Sequence, residues 1–152
     1  MNLKSNNFRI DPMDKNSLVE ILNSASLDSE KYNSFFKPKS NLIEIFENAK
    51  LDSFYKIYFN DSLSGYFSLR GLDDGYKIPR FGVYILEKYK SNKIGSYALS
   101  EAISLSKNAG FDALDLKVNS KNINAIKLYK SYGFKKVKKQ NIEDIYILKF
   151  YK

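Results

Sequence analysis

The sequence contains no cysteine and no histidine. The first absence excludes a disulfide framework and thiol catalysis, and leaves the compartment open. The second removes the usual general base, the commonest metal ligand and every Ser-His triad. A metal site would have to be built from oxygen alone, and no Asp/Glu cluster has calcium-loop spacing. Long apolar runs are missing too: none approaches the roughly 18 residues that a membrane helix needs. Met1 to Arg9 is polar and lacks the apolar centre of a signal peptide. There is no internal repeat, linker or low-complexity segment.

The 152 residues suit one domain, which we take to span 1–152. Hydrophobic residues make up 43%, enough for a packed core and too many for a disordered chain. The net charge of +8 has two readings. One is a polyanionic partner, such as nucleic acid, a membrane surface or a phosphate-rich cofactor. The other is a composition rich in Lys, Asn and Ile, since the lysines are spread along the chain rather than massed in one block.

Taken in order, Phe8 to Ile10 reads as a first strand, broken by Asp11-Pro12. Asp14 to Leu22 reads as a helix with Leu18, Ile21 and Leu22 on one face. Ser24 to Ser40 is irregular, with Phe35 and Phe36 packing the excursion or lining an acceptor pocket. Asn41 to Ala49 reads as a second helix, with Leu42, Ile45 and Phe46 inward and Ser40 or Asn41 as cap. Phe54 to Phe59 and Gly65 to Arg70 form a hairpin across the turn Asn60 to Gly65. Tyr76 to Leu86 is a longer strand interrupted by Pro79 and Gly82, where an internal glycine predicts a bulge or a close backbone approach. Ile94 to Ala109 is helical, with Ile94, Tyr97, Ala98, Ala102 and Leu105 at i, i+3, i+4 spacing and Gly110 as its stop. Ala113 to Val118 is a strand, parallel to its predecessor because a helix intervenes. Phe134 to Val137 and Ile145 to Tyr151 complete the set. The lysines around Val137 read as a solvated edge that blocks further strand pairing.

The most informative stretch is Leu116 to Phe134. It is a buried strand, a polar turn, a short helix with Ala125, Leu128, Tyr129 and Tyr132 on one face, and a glycine exit at Gly133. Val118, Asn122, Ala125, Leu128, Tyr129, Gly133 and Phe134 follow one another as in the C-terminal signature of GNAT family N-acetyltransferases, which the chain resembles from roughly Gly65 to Phe150. The resemblance implies an α+β fold, an α/β/α sandwich whose mixed central sheet has about seven strands with about four helices. It also implies acetyl-CoA as co-substrate, a small-molecule or peptide amine as acceptor, and a cytoplasmic enzyme with no membrane segment. Nucleic acid is not expected as a partner; a homodimer stays open.

Between the long strand and its helix lies Lys90-Ser91-Asn92-Lys93-Ile94-Gly95-Ser96. A strand-loop-helix junction exposes unpaired N–H groups at the positive end of a helix dipole, a ready site for phosphate oxygens. This segment resembles the GNAT pyrophosphate loop, with Lys90 in the basic position and Gly95 as the last glycine. Ser91 and Lys93 replace the other two glycines, so side chains stand where the backbone must come close to phosphate. Asn92 is the residue best suited to left-handed geometry there.

By the same resemblance, Ile85 matches the strand end whose N–H groups face the acetyl or pantetheine arm, where a fixed donor aimed at developing oxyanion charge is a large effect. Asn122 matches a side chain that hydrogen-bonds that arm, and is equally a helix N-cap. Tyr129 matches the general acid; a phenol of reference pKa about 10 stays protonated at neutral pH and can donate to a departing thiolate. It is otherwise a core tyrosine. The general base is open. Lys117 stands where some relatives carry Glu; Asp115 shares its side of the strand, Glu87 lies near the loop, and a water chain would serve instead. Tyr84 and Tyr132 either border the acceptor site or pack the core. Two further readings remain: a catalytically weak module of the same fold that binds CoA, and a basic nucleic-acid-binding domain. Against the second, the aromatics fall on buried periodicities rather than on an exposed stacking platform.

Overall fold

The structure, a computed structural model, describes residues 7–25 and 39–150. Its elements in chain order are strand β1 (Phe8–Pro12), helices α1 (Lys15–Ala25) and α2 (Lys39–Asn48), and strands β2 (Ser53–Phe59), β3 (Ser62–Arg70) and β4 (Arg80–Ile85). Helix α3 (Ile94–Asn108), strand β5 (Ala113–Asn119), helix α4 (Ile123–Ser131) and strands β6 (Lys135–Gln140) and β7 (Glu143–Lys149) follow. The seven strands form one sheet in the order β1-β2-β3-β4-β5-β7-β6, with β4 and β5 parallel and the other neighbours antiparallel. The α+β architecture expected from the sequence is present. The Phe35-Phe36 segment lies outside the described residues.

Strand alternation sends two apolar sets to opposite faces. Tyr66, Tyr84 and Phe54 pack with Leu18, Ile21 and Leu22 of α1 and Leu42 of α2. Phe67, Phe81, Leu114, Leu116 and Val118 pack with Ile94, Ala98, Leu99 and Ala102 of α3 and with Tyr129 of α4. The sheet is therefore covered by one helix pair on each face.

Several boundaries depart from the sequence reading. The first strand continues through Pro12, which pairs with Tyr55; β1 is an edge strand, where a missing N–H is tolerated. Asp14 is not helical but caps α1, its Oδ1 accepting the Ser17 N–H at 2.8 Å. Helix α2 begins at Lys39, so Ser40 and Asn41 lie inside it, and Ile45 is exposed rather than inward. The β2–β3 turn shrinks to Asn60-Asp61, both at positive φ (51° and 66°), the geometry that matches hairpin twist.

The long strand is shorter than expected, and no bulge occurs at Gly82, which pairs regularly with Ser68. The register shifts elsewhere, at Lys136/Lys138 between β6 and β7 and at Ile57/Tyr58 between β2 and β3; in the β2–β3 pair one residue of β3 is left over. Ser64 is the extra residue, and its hydroxyl donates to the freed Ile57 carbonyl at 3.0 Å. The close approach falls on Gly65, opposite Ile85, where a Cβ would lie 2.2 Å from the Tyr84 carbonyl oxygen. Gly133 leaves α4 at φ 98°, as a left-handed exit requires. Phe134 is buried ahead of β6 rather than inside it.

Candidate active site

Strands β4 and β5 are registered only at Arg80↔Asp115 and Phe81↔Leu116. Beyond those pairs β4 continues to Ile85 and β5 to Asn119, and the two part into a V-shaped cleft. The narrow end is pinned by Arg80, which donates from Nε and Nη2 to the two carboxylate oxygens of Asp115 at 2.9 and 3.0 Å. On its other side β4 stays bound to β3, and the Leu86 N–H donates to the Ser64 carbonyl at 2.8 Å. By the alternation of a strand, the N–H groups of Ile85 and Val83 then point into the cleft, with no strand to receive them. Val83 was not singled out from the sequence; a step of two back from Ile85 would have found it.

The loop at the wide end turns on two left-handed residues, Ser91 (φ 71°) and Lys93 (φ 65°). These are the two that stand in for glycine, so the backbone adopts the glycine-like path with side chains attached. Asn92, expected to take that geometry, does not; its Nδ2 donates to the Tyr89 carbonyl at 2.9 Å and ties the loop together. Lys90 reaches Glu87, Nζ to Oε1 3.2 Å.

Helix α3 begins after Lys93 without a side-chain cap. Its first i→i−4 bond runs from the Tyr97 N–H to the Lys93 carbonyl. Among the described residues, the N–H groups of Ile94, Gly95 and Ser96 therefore have no partner. The Ile94 side chain is buried, so only its backbone faces outward. A Cβ on Gly95 would meet nothing within 4 Å. The result is an uncapped helix N-terminus beside open space with Lys90 and Lys93 nearby, an arrangement that accepts anionic oxygens.

The N-terminus of α3 is held from the side by Tyr132. Its hydroxyl lies 2.8 Å from Ser96 Oγ and 3.0 Å from Ser100 Oγ. Tyr132 thus bridges α4 to α3, and the Ser96 hydroxyl is committed to that bridge. Asn122 caps α4, its Oδ1 accepting the Ala125 N–H at 3.2 Å. About two turns further on, Tyr129 packs its ring against Phe134 with centroids 5.9 Å apart. Burial pushes the Tyr129 phenol up to about 12, because an ionised phenolate would lose its hydration there. Its hydroxyl has no hydrogen-bond partner among the described residues.

The carboxylates weighed as a base are occupied. Asp115 is held by Arg80, and Glu87 pairs with Lys90. Tyr84 is buried against α1 and α2 on the face opposite Tyr129.

The site thus unites backbone donors along a split sheet, an uncapped helix end and a buried phenol. A sequence profile described as the acetyltransferase (GNAT) family matches residues 17–134. The chain belongs to the GNAT family.

Solved structures of similar shape agree with this. A domain from Methanocaldococcus jannaschii has a TM-score of 0.79 at 23% identity, over 94% of this chain and 98% of that one. The PaiA N-acetyltransferase of Thermoplasma acidophilum, in complex with coenzyme A, gives 0.70 at 21%, over 94% and 99%. The N-acetyltransferase PseH of Campylobacter jejuni, in complex with acetyl coenzyme A, gives 0.71 at 14%, over 95% and 99%. At such identities the likeness establishes the shared fold. No curated protein matches by sequence. Among the described residues of this GNAT chain no helix is long and apolar enough to cross a membrane.

Proposed function

We propose that the protein is an acetyl-CoA-dependent N-acetyltransferase that acetylates a primary amine by direct attack in a ternary complex. The observation that carries this is the conjunction of split strands and an uncapped α3 N-terminus in a member of the GNAT family. Acetyl-CoA supplies an acetyl thioester: the amine nitrogen bonds to the carbonyl carbon, the C–S bond breaks, the thiolate takes a proton and the new ammonium loses one. In this reading the N–H groups of Ile94, Gly95 and Ser96 hold the pyrophosphate, with Lys90 and Lys93 adding charge. Ser91 and Asn92 shape the loop so that its backbone comes close.

Ile85, joined by Val83, offers N–H donors to the acetyl and pantetheine groups, fixed in place before charge develops. Asn122 spends its oxygen on the helix cap, which leaves Nδ2 for the arm. Tyr129 is the donor to the leaving sulfur. With Asp115 and Glu87 engaged, removal of the ammonium proton falls to water. The acceptor is a small-molecule or peptide amine. We further propose that residues 1–152 form one catalytic domain working in the cytoplasm.

A second reading, a CoA-binding module with weak turnover, is favoured by one observation. A phenol held at about 12 gives its proton to a thiolate of reference pKa about 8.5 only against a gap of roughly 5 kcal/mol. It still donates a hydrogen bond to the developing thiolate. Calorimetric titration with acetyl-CoA, followed by amine-dependent thiol release, separates the two. Binding with turnover supports the enzyme; binding with no turnover over a wide amine panel supports the module. No binding at millimolar acetyl-CoA rejects both.

A further inference from the structure

The end of α4 and the start of α3 meet at one side chain. Tyr132 closes α4 as its C-cap. Its N–H, like that of Phe134, donates to the Tyr129 carbonyl at 3.1 Å. Its half-buried ring reaches across to α3. There the hydroxyl lies 2.8 Å from Ser96 Oγ, 3.0 Å from Ser100 Oγ and 3.3 Å from the Ser96 carbonyl oxygen.

A phenol has one hydrogen to give and two sites at which to accept. All three contacts are satisfied together when the phenol donates to the Ser96 carbonyl and both serine hydroxyls donate to the phenol oxygen. Ser96 is then held at two points, by its side chain and its carbonyl. Its own N–H lies in the first turn, where the helix supplies no acceptor.

Little else fixes that turn. No side chain caps α3, and the loop before it passes through Ser91 and Lys93 in left-handed geometry. Helix ends fray when their N–H groups lack partners. An anion bound there has to order those donors, and a turn ordered beforehand removes that entropy cost. Tyr132 also ties the turn to the backbone of Tyr129. The two helices carry different parts of the site, and one cofactor molecule has to meet both, so their relative placement matters.

We infer that Tyr132 is a positioning residue: its hydroxyl fixes the first turn of α3, through Ser96, so that the N–H donors there are preformed for the pyrophosphate of acetyl-CoA. It acts through Ser96 and not as a donor to the reacting atoms. The inference rests on the acetyl-transfer reading.

The test is calorimetric titration of acetyl-CoA and of CoA into the full chain as wild type, Tyr132→Phe, Ser96→Ala and the double variant. Phe keeps the ring and Ala keeps the Ser96 N–H, and thermal unfolding without ligand checks that each variant folds. Tyr132→Phe is expected to weaken both ligands at least about fivefold, by the lost preorganisation. Ser96→Ala alone is expected to cost about threefold or more, and less than about twofold in the Tyr132→Phe background, because both substitutions cut the same link. A residue that served stability alone would lower the thermal midpoint and leave the affinities in place. A smaller loss in Tyr132→Phe, or an equal cost of Ser96→Ala in both backgrounds, would overturn the inference while the wild type still binds. If the wild type binds neither ligand at millimolar concentration, the acetyl-transfer reading itself fails and the inference with it.

Discussion

The guanidinium of Arg80 and the carboxylate of Asp115 form a two-bond pair across the register step where β4 and β5 are still joined, one residue before they separate. The pair marks where the cleft begins, and it removes Asp115 from the candidates for general base. Asp115→Asn is expected to lower stability by about 1–3 kcal/mol, because a partly buried guanidinium loses a charged acceptor. Urea unfolding measures this. Turnover in the folded variant is expected to change only a few-fold; a hundredfold loss with intact folding would reinstate Asp115 as the base.

Tyr129→Phe deletes only a hydroxyl from a well-packed ring. Amine-dependent thiol release is expected to slow about a hundredfold, within the range of general acid catalysis, while the calorimetric affinity for acetyl-CoA stays within about twofold of wild type. Equal rates in the two proteins would return Tyr129 to a packing role.

The same burial makes a pH prediction. With the phenol pushed up to about 12, the Tyr129 proton stays in place below the reference value of about 10. Activity should therefore rise with pH as the amine deprotonates, with no loss attributable to Tyr129 up to about pH 10. Above that value the unfolded chain ionises while the native phenol does not, so stability falls between about pH 10 and 12. In Tyr129→Phe that part of the alkaline fall should disappear, as read by thermal unfolding across the window.

Asp14 acts at the other end of the scale. Its carboxyl is lowered to about 2, first by the hydrogen bond from Lys56 at 2.6 Å and then by the Ser17 N–H. A depressed native value means stability that is complete above about pH 4 and lost as pH falls through about 2. Asp14→Ala should cost about 1 kcal/mol at neutral pH, as for a lost N-cap, and flatten the acid limb over that range. An unchanged acid unfolding curve would refute this.

Two glycines should behave oppositely. Gly65→Ala sets a Cβ against the Tyr84 carbonyl, where nothing can yield without separating β3 from β4; a loss of about 3 kcal/mol or more is expected. Gly95→Ala meets open space and should be neutral or stabilising by about 0.5 kcal/mol. Gly95→Val should fold as well but bind acetyl-CoA more weakly. Chemical unfolding and calorimetry distinguish these outcomes.

Ser91 carries a side chain in left-handed geometry, which costs an L-residue roughly 1 kcal/mol. Ser91→Gly is expected to hold or raise the thermal midpoint, and Ser91→Val to lower it. The reverse order would mean that the loop does not take this path in solution.

Periodicity within single segments made much of this molecule readable. The helical faces through Leu18, Ile21 and Leu22 and through Ala98 and Ala102 follow from i, i+3, i+4 spacing, and their burial is a local consequence of it. The run Val118 to Phe134 carried the family resemblance because its turn, cap and glycine exit all act within about one helix length. What stayed hidden depended on partners far away in the chain. A bulge or a close backbone approach was expected at Gly82, yet Gly82 pairs regularly and a bulge lies at Ser64, since register is set by two strands jointly and not by the glycine content of one. Pro12 extends β1 because, among the described residues, β1 is an edge strand of the sheet. Asn92 carried the composition for a left-handed turn, but its neighbours Ser91 and Lys93 adopt it, since the loop must join β4 to α3 along a path fixed at both ends.

The sequence by itself determined the class of fold, the loop and the helix on which the chemistry rests, because those are properties of short stretches with their own spacing. Only the tertiary structure decided that Asp115 is tied to Arg80 and that Tyr132 bridges the two helices. Both join residues of different elements, and side-chain chemistry alone does not say which elements will meet.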